Sequence, residues 1–99
     1  MSVLVIGKFQ GDTATFRKAL AERAAEFEEI SAGARAQGAL HHRFGVGDGF
    51  VVLVDEWETV EQFQQFFSNP DLHAFIGTIG ATGQPEITVS EAVTAPGEY

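Results

Sequence analysis

Cysteine is absent from this 99-residue chain, which excludes disulfides, thiolate metal sites and cysteine nucleophiles. Basic residues are scarce: six Lys and Arg stand against 14 Asp and Glu, a formal net charge of −8. No Lys or Arg lies beyond Arg43, whereas Asp48, Asp55, Glu56, Glu58, Glu61, Asp71, Glu86, Glu91 and Glu98 all do. Such a field repels phosphate backbones and anionic lipid, so neither nucleic acid nor a membrane surface is an expected partner. No apolar stretch approaches the length of a transmembrane helix. The N-terminal run Val3 to Ile6 is too short for a signal sequence and ends at Lys8, so a cytoplasmic protein is expected. G-x-S-x-G, P-loop and dinucleotide fingerprints are also missing. Gly45, Gly47 and Gly49 precede a strand rather than a helix, so they build no phosphate nest. With no motif for flavin, nicotinamide or metal, no cofactor is expected.

What the chain does have is apolar material. Hydrophobic residues make up 44% and nine are Phe, a large share for a domain that can bury only part of its own surface. The length fits a single domain over residues 1–99, with 95–99 as a tail. Residues 2–10 (SVLVIGKFQ) read as a strand closed by Gly11. Asp12 caps a following helix whose apolar stripe holds Phe16, Leu20, Arg23/Ala24, Phe27 and Ile30 and which ends near residues 31–33. Gly38 opens a second strand over residues 39–46. Asp48-Gly49 is a hairpin signal, and Phe50–Trp57 (FVVLVDEW) is a third strand, apolar almost throughout. Thr59 and Gln62 have capping-box spacing at the start of a second helix with Phe63, Phe66 and Phe67 on its apolar face. Asn69-Pro70 interrupts that helix and starts a further helical piece to residue 79. Residues 86–93 form the last strand.

The order β-α-β-β-α-β is the ferredoxin-like, split βαβ pattern: an α+β fold with an antiparallel sheet and both helical segments on one face. The other sheet face would be a large bare apolar patch in a monomer, so a homodimer is expected.

His41 and His42 are neighbours on a strand and point to opposite faces. They are either ordinary half-buried histidines, or one of them is a base in a pocket, since histidine titrates near neutrality. His73 follows the Asn69-Pro70 break, where irregular backbone can line a site. Arg23 either snorkels from the helix stripe to solvent or is the one cation available to a helix–sheet pocket. His42, His73 and Glu56 match no metal-ligand spacing. Asp55 and Glu56 diverge and form no paired-carboxylate site. An apolar pocket between helices and sheet is expected, lined by Phe9, Arg23, His42, Phe66, His73 and Phe75, with the three Phe rings as an aromatic wall.

The stretch Phe50 to Thr59, a hydrophobic strand ending in Trp57-Glu58-Thr59 and leading into a helix and Asn69-Pro70, resembles the antibiotic-biosynthesis-monooxygenase superfamily of dimeric α+β barrels. In element order the resemblance spans the whole chain. It implies dimerisation and, by one branch, a cofactor-independent oxygenase that holds a small aromatic or polyketide-like substrate and favours its anion. His42 or His73 would then be the catalytic base, and Arg23 or a backbone N–H would stabilise the anion. A haem-degrading branch uses an Asn, a Trp and a His where this chain has Gly7, Phe66 and Phe75, so the resemblance does not extend to haem degradation. The oxygenase branch tends to place Trp, Tyr and a late Arg in its pocket. The single Tyr here is Tyr99, and no Arg follows Arg43. The competing reading is a non-catalytic dimer that binds a small ligand or serves a structural or regulatory role.

Overall fold

Eight elements follow one another in the computed structural model, which describes residues 1–99. They are β1 (Val3–Gln10), α1 (Thr13–Glu22), α2 (Ala24–Ala36), β2 (Ala39–Gly47), β3 (Phe50–Trp57), α3 (Val60–Phe67), α4 (Pro70–Thr78) and β4 (Glu86–Glu91). The strands make one sheet in the order β2-β3-β1-β4, every neighbouring pair antiparallel. This is the ferredoxin-like α+β fold: β1 and β2 are joined through helices and separated in the sheet by β3. No helix is long and apolar enough to cross a membrane.

Local chemistry starts each helix where the sequence places it. The Asp12 carboxylate accepts the Ala14 and Thr15 N–H groups at 3.0 and 3.3 Å and the Thr15 hydroxyl at 3.0 Å. These bonds, the Thr15 hydroxyl foremost, hold the Asp12 carboxyl below its ordinary value, as hydrogen bonds to the charged form do. Thr59 Oγ1 accepts the Gln62 N–H at 3.2 Å, and Asn69 accepts the Asp71 N–H at 2.9 Å with Pro70 in the first turn.

Three boundaries differ clearly from the sequence reading. The first helix is two helices, broken at Arg23, whose backbone leaves helical geometry at φ −122°, ψ 31°. No Gly or Pro marks the break. Instead Arg23 makes contacts that local periodicity does not encode: its Nη1 donates to Thr78 Oγ1 at 2.8 Å and its guanidinium lies 4.7 Å from the centre of the Phe75 ring. α2 then runs through Gly33 to Ala36, ending only before Gly38 (φ +117°). The last strand stops at Glu91, two residues short of the expected end.

Side chains alternate across the sheet as strand geometry requires. Val5, Phe9, Val51, Asp55 and Trp57 face the helices and are buried. Phe16, Ala19, Val51 and Ile79 form one core cluster, and Val5, Trp57 and Phe63 form another. Between them the helix layer stands off the sheet, since neither α2 nor α4 fully buries any residue. On the opposite face Leu4, Ile6 and Val54 are 37, 44 and 45% exposed.

The segment after α4 is stitched to the β1–α1 turn: Asp12 N–H donates to Gly80 O and Thr82 N–H to Gln10 O, both at 2.9 Å. Gly80 has φ +101°, and a Cβ there would sit 2.5 Å from Asp12 O. Gly80→Ala is therefore expected to destabilise the chain by about 1–3 kcal/mol. Urea unfolding followed by circular dichroism checks this; an unchanged midpoint would mean the turn relaxes freely.

Candidate functional site

The gap between helices and sheet is a cavity of about 720 Å³, within the size range of small-molecule sites. Its apolar wall is a set of edge-to-face aromatic contacts. Phe16 and Phe44 have ring centres 5.1 Å apart, Phe27 and Phe75 also 5.1 Å, and Phe27 joins the two pairs at 6.1 Å. These rings come from α1, α2, β2 and α4, so the bend at Arg23 serves the site by turning Phe27 into the cluster.

The polar part of the site is a cross-strand pair. β2 and β3 meet around the two-residue Asp48-Gly49 turn, with Gly47 opposite Phe50. Counting back along the ladder sets His42 opposite Asp55 and His41 opposite Glu56. The pairs lie on opposite faces. His42 Nδ1 sits 2.5 Å from Asp55 Oδ1. An ionised carboxylate can only accept, so Nδ1 carries a proton, and whenever the ring is neutral Nε2 keeps its lone pair. That second nitrogen makes no hydrogen bond within the chain, and His42 lines the cavity. The ring packs edge-on against Phe44 with centres 4.5 Å apart. Asp55 is itself 9% exposed, and its other oxygen accepts the Trp57 indole N–H at 3.2 Å. On the outer face His41 Nε2 is 4.0 Å from Glu56 Oε1, and Ser2 Oγ donates to Glu56 Oε2.

Of the residues singled out from the sequence, Phe9, His42, Phe66 and Phe75 line the cavity. Arg23 and His73 are held elsewhere. The Arg23 guanidinium is paired with Glu26 and with Thr78 Oγ1, and the pairing lowers the Glu26 carboxyl. His73 Nε2–H donates to the carbonyl of Phe67 at 2.5 Å, and the ring is tilted over Phe67. No group of three or more His, Asp or Glu side chains is arranged to hold a metal ion.

By sequence position Asp55 compares only with its neighbour Glu56, whereas its partner, His42, lies across the ladder. The signal is present: a two-residue turn at Asp48-Gly49 sets the cross-strand pairs of the hairpin from Gly47–Phe50 back to His41–Glu56, before the register shifts at Ala39. Phe16, Phe27 and Phe44 were also missed as wall residues. They sit on three different elements, and their meeting depends on the helix break.

No protein-family profile matches the sequence, and no curated protein does. Solved structures do match. SnoaB, a cofactor-independent oxygenase from Streptomyces nogalater, superimposes with a TM-score of 0.68 at 17% identity over 98% of both chains. The monooxygenase from the gene ActVA-Orf6 of Streptomyces coelicolor, solved with the ligand nanaomycin D, also scores 0.68, at 21% identity over 95% of this chain and 89% of that one. This chain has the fold of the antibiotic-biosynthesis monooxygenases. Rv0793 from Mycobacterium tuberculosis shares the architecture, with a TM-score of 0.65 at 18% identity over 97% of this chain and 99% of that one. In this antibiotic-biosynthesis-monooxygenase fold the Trp57-Glu58-Thr59 stretch is the junction of β3 with α3, where Thr59 caps the helix and Trp57 packs beneath it.

Proposed function

We propose that the chain is a cofactor-independent monooxygenase acting on a small aromatic, polyketide-like substrate, with His42 as the base and Asp55 holding it. The observation that carries this reading is the unpaired Nε2 of His42 in an apolar cavity, its tautomer set by a buried carboxylate. The oxygenase and monooxygenase of the same fold support the class of reaction. Phe9, Phe66 and Phe75 bound the space for a flat ring system.

The chemistry balances without a cofactor. Nε2 removes a proton from an acidic C–H of an anthrone-type methylene. The resulting carbanion transfers one electron to O₂, and the radical pair combines into a peroxide anion. Taking the proton back and losing water from the hydroperoxide leaves a carbonyl, so R₂CH₂ and O₂ become R₂C=O and H₂O. Arg23 is committed to Glu26 and Thr78, so the charge facing the anion is the imidazolium formed at His42, itself paired with Asp55.

We propose further that the working unit is a homodimer closed over the open sheet face. Leu4, Ile6 and Val54 give that face its apolar centre. Lys8 and Arg43 stand on the same face as Glu56 and Glu86, so a two-fold axis can set opposite charges against each other.

An oxygen electrode tests the activity. The purified chain should consume O₂ with an anthrone substrate and no added cofactor, forming the quinone in equal amount. If aromatic ligands bind in the cavity without oxygen uptake, the protein is a binding module instead.

A further inference from the structure

The role of the only tryptophan in the chain follows from four distances. Trp57 is 1% exposed and is not among the cavity-lining residues. Its ring is wedged against Phe63 and Phe66 of α3, with centres 5.8 and 5.4 Å away, and so cannot turn without disturbing the core beside Val5. From that fixed position its Nε1–H reaches Asp55 Oδ2 at 3.2 Å, while Asp55 Oδ1 meets His42 Nδ1 at 2.5 Å. Residues 55 and 57 lie two apart on β3, so their side chains share the helix-facing side of the sheet.

We propose that Trp57 is a positioning residue that locks the Asp55 carboxylate and through it the tautomer of His42. The proposal rests on the reading of His42 as the base, and its physical reason is rotational. A carboxylate bound at one oxygen alone can swing about its Cβ–Cγ bond, a broad torsion with low barriers. Bound at both oxygens by groups on different elements, it has one orientation. Asp55 is nearly excluded from solvent, so water is a poor substitute for the indole donor. With the carboxylate locked, Nδ1–H is the favoured tautomer of the neutral ring, and the proton-accepting nitrogen is Nε2 of a residue that lines the cavity. Phe66 lines the cavity and also touches Trp57, so the α3 wall and the base are joined through a single indole.

Replacing Trp57 biosynthetically with benzothienylalanine, which swaps the indole N–H for sulfur and keeps the ring shape, isolates that bond. The single tryptophan makes the replacement unambiguous. Two readouts are expected to move together. The ¹⁵N spectrum of the His42 ring should change from one Nδ1–H tautomer to a mixture of both. With an anthrone substrate, kcat should fall about tenfold, the loss of one hydrogen bond to a charged group, with KM unchanged. In the unmodified protein, Asp55→Asn should shift the indole N–H resonance, which tests the contact even if the analogue fails to fold. A single tautomer in the analogue, or an indole resonance indifferent to Asp55→Asn, overturns the proposal. Absence of turnover by the native chain, with the tautomer change still seen, would overturn the catalytic reading of His42 while leaving Trp57 as the residue that orients the pair.

Discussion

His42→Ala is expected to slow oxygen uptake with an anthrone by about 10²–10⁴-fold, the contribution of a positioned base. Asp55→Asn should fall at the severe end of that range. Its amide can donate to Nδ1 and so favour the tautomer with hydrogen on Nε2, which has no lone pair to offer the substrate; in hydrolytic triads the same change costs about 10⁴-fold. The two losses should not add, because the carboxylate acts only through the imidazole. The His42 ring is 37% exposed, so the alanine variant should keep the native far-ultraviolet spectrum, and lost rate will not reflect lost fold. His73→Ala is the control: its ring is tied to the Phe67 carbonyl and it is not among the cavity-lining residues, so the rate should be unchanged. Native rates in both His42→Ala and Asp55→Asn would remove His42 from the mechanism.

Ile6→Asp should convert the proposed dimer to monomer. Ile6 lies on the central strand β1, opposite Val54 on one side and Thr88 on the other, and is 44% exposed in the single chain. In a two-fold dimer each substitution occurs twice in one interface. A carboxylate forced between two apolar sheets carries an effective penalty of several kcal/mol per ion, so the dissociation constant should rise by at least about 10³-fold. Light scattering at micromolar concentration should give twice the chain mass for the native protein and one chain mass for the variant. Lys8→Ala serves as a milder comparison, since Lys8 sits at the edge of the patch over the Phe50 ring. A native protein that scatters as a monomer would end the barrel-like arrangement outright.

Much of this fold was legible because its signals are local. Phe50–Trp57, the Thr59 cap and the Asn69-Pro70 restart all lie where turn chemistry and side-chain period put them. The first helix was misread for the opposite reason. Arg23 fits the helical period and carries no breaker, and what accompanies the bend there is a bond to Thr78, 55 residues away. The site was half legible in the same sense. Phe9, Phe66 and Phe75 could be picked as wall residues because aromatic rings on amphipathic elements turn inward. Phe16, Phe27 and Phe44 could be grouped only once the bend had brought their elements together.

The sequence by itself determined the order of the elements and the β2–β3 ladder from the turn back to His41. A two-residue Asp-Gly turn admits one register, and strand alternation then separates His41 from His42. Tertiary structure decided the rest. It chose which face of the sheet the helices cover, and so made His42 rather than His41 the residue in the cavity. It held the helix layer far enough from the sheet to leave about 720 Å³, through wall-to-wall aromatic contacts and the Arg23 bridge to α4. It also turned the Trp57 indole onto Asp55. Each of these depends on contacts between elements distant in the chain, whose geometry comes from the packing of whole surfaces and has no counterpart in local period or propensity.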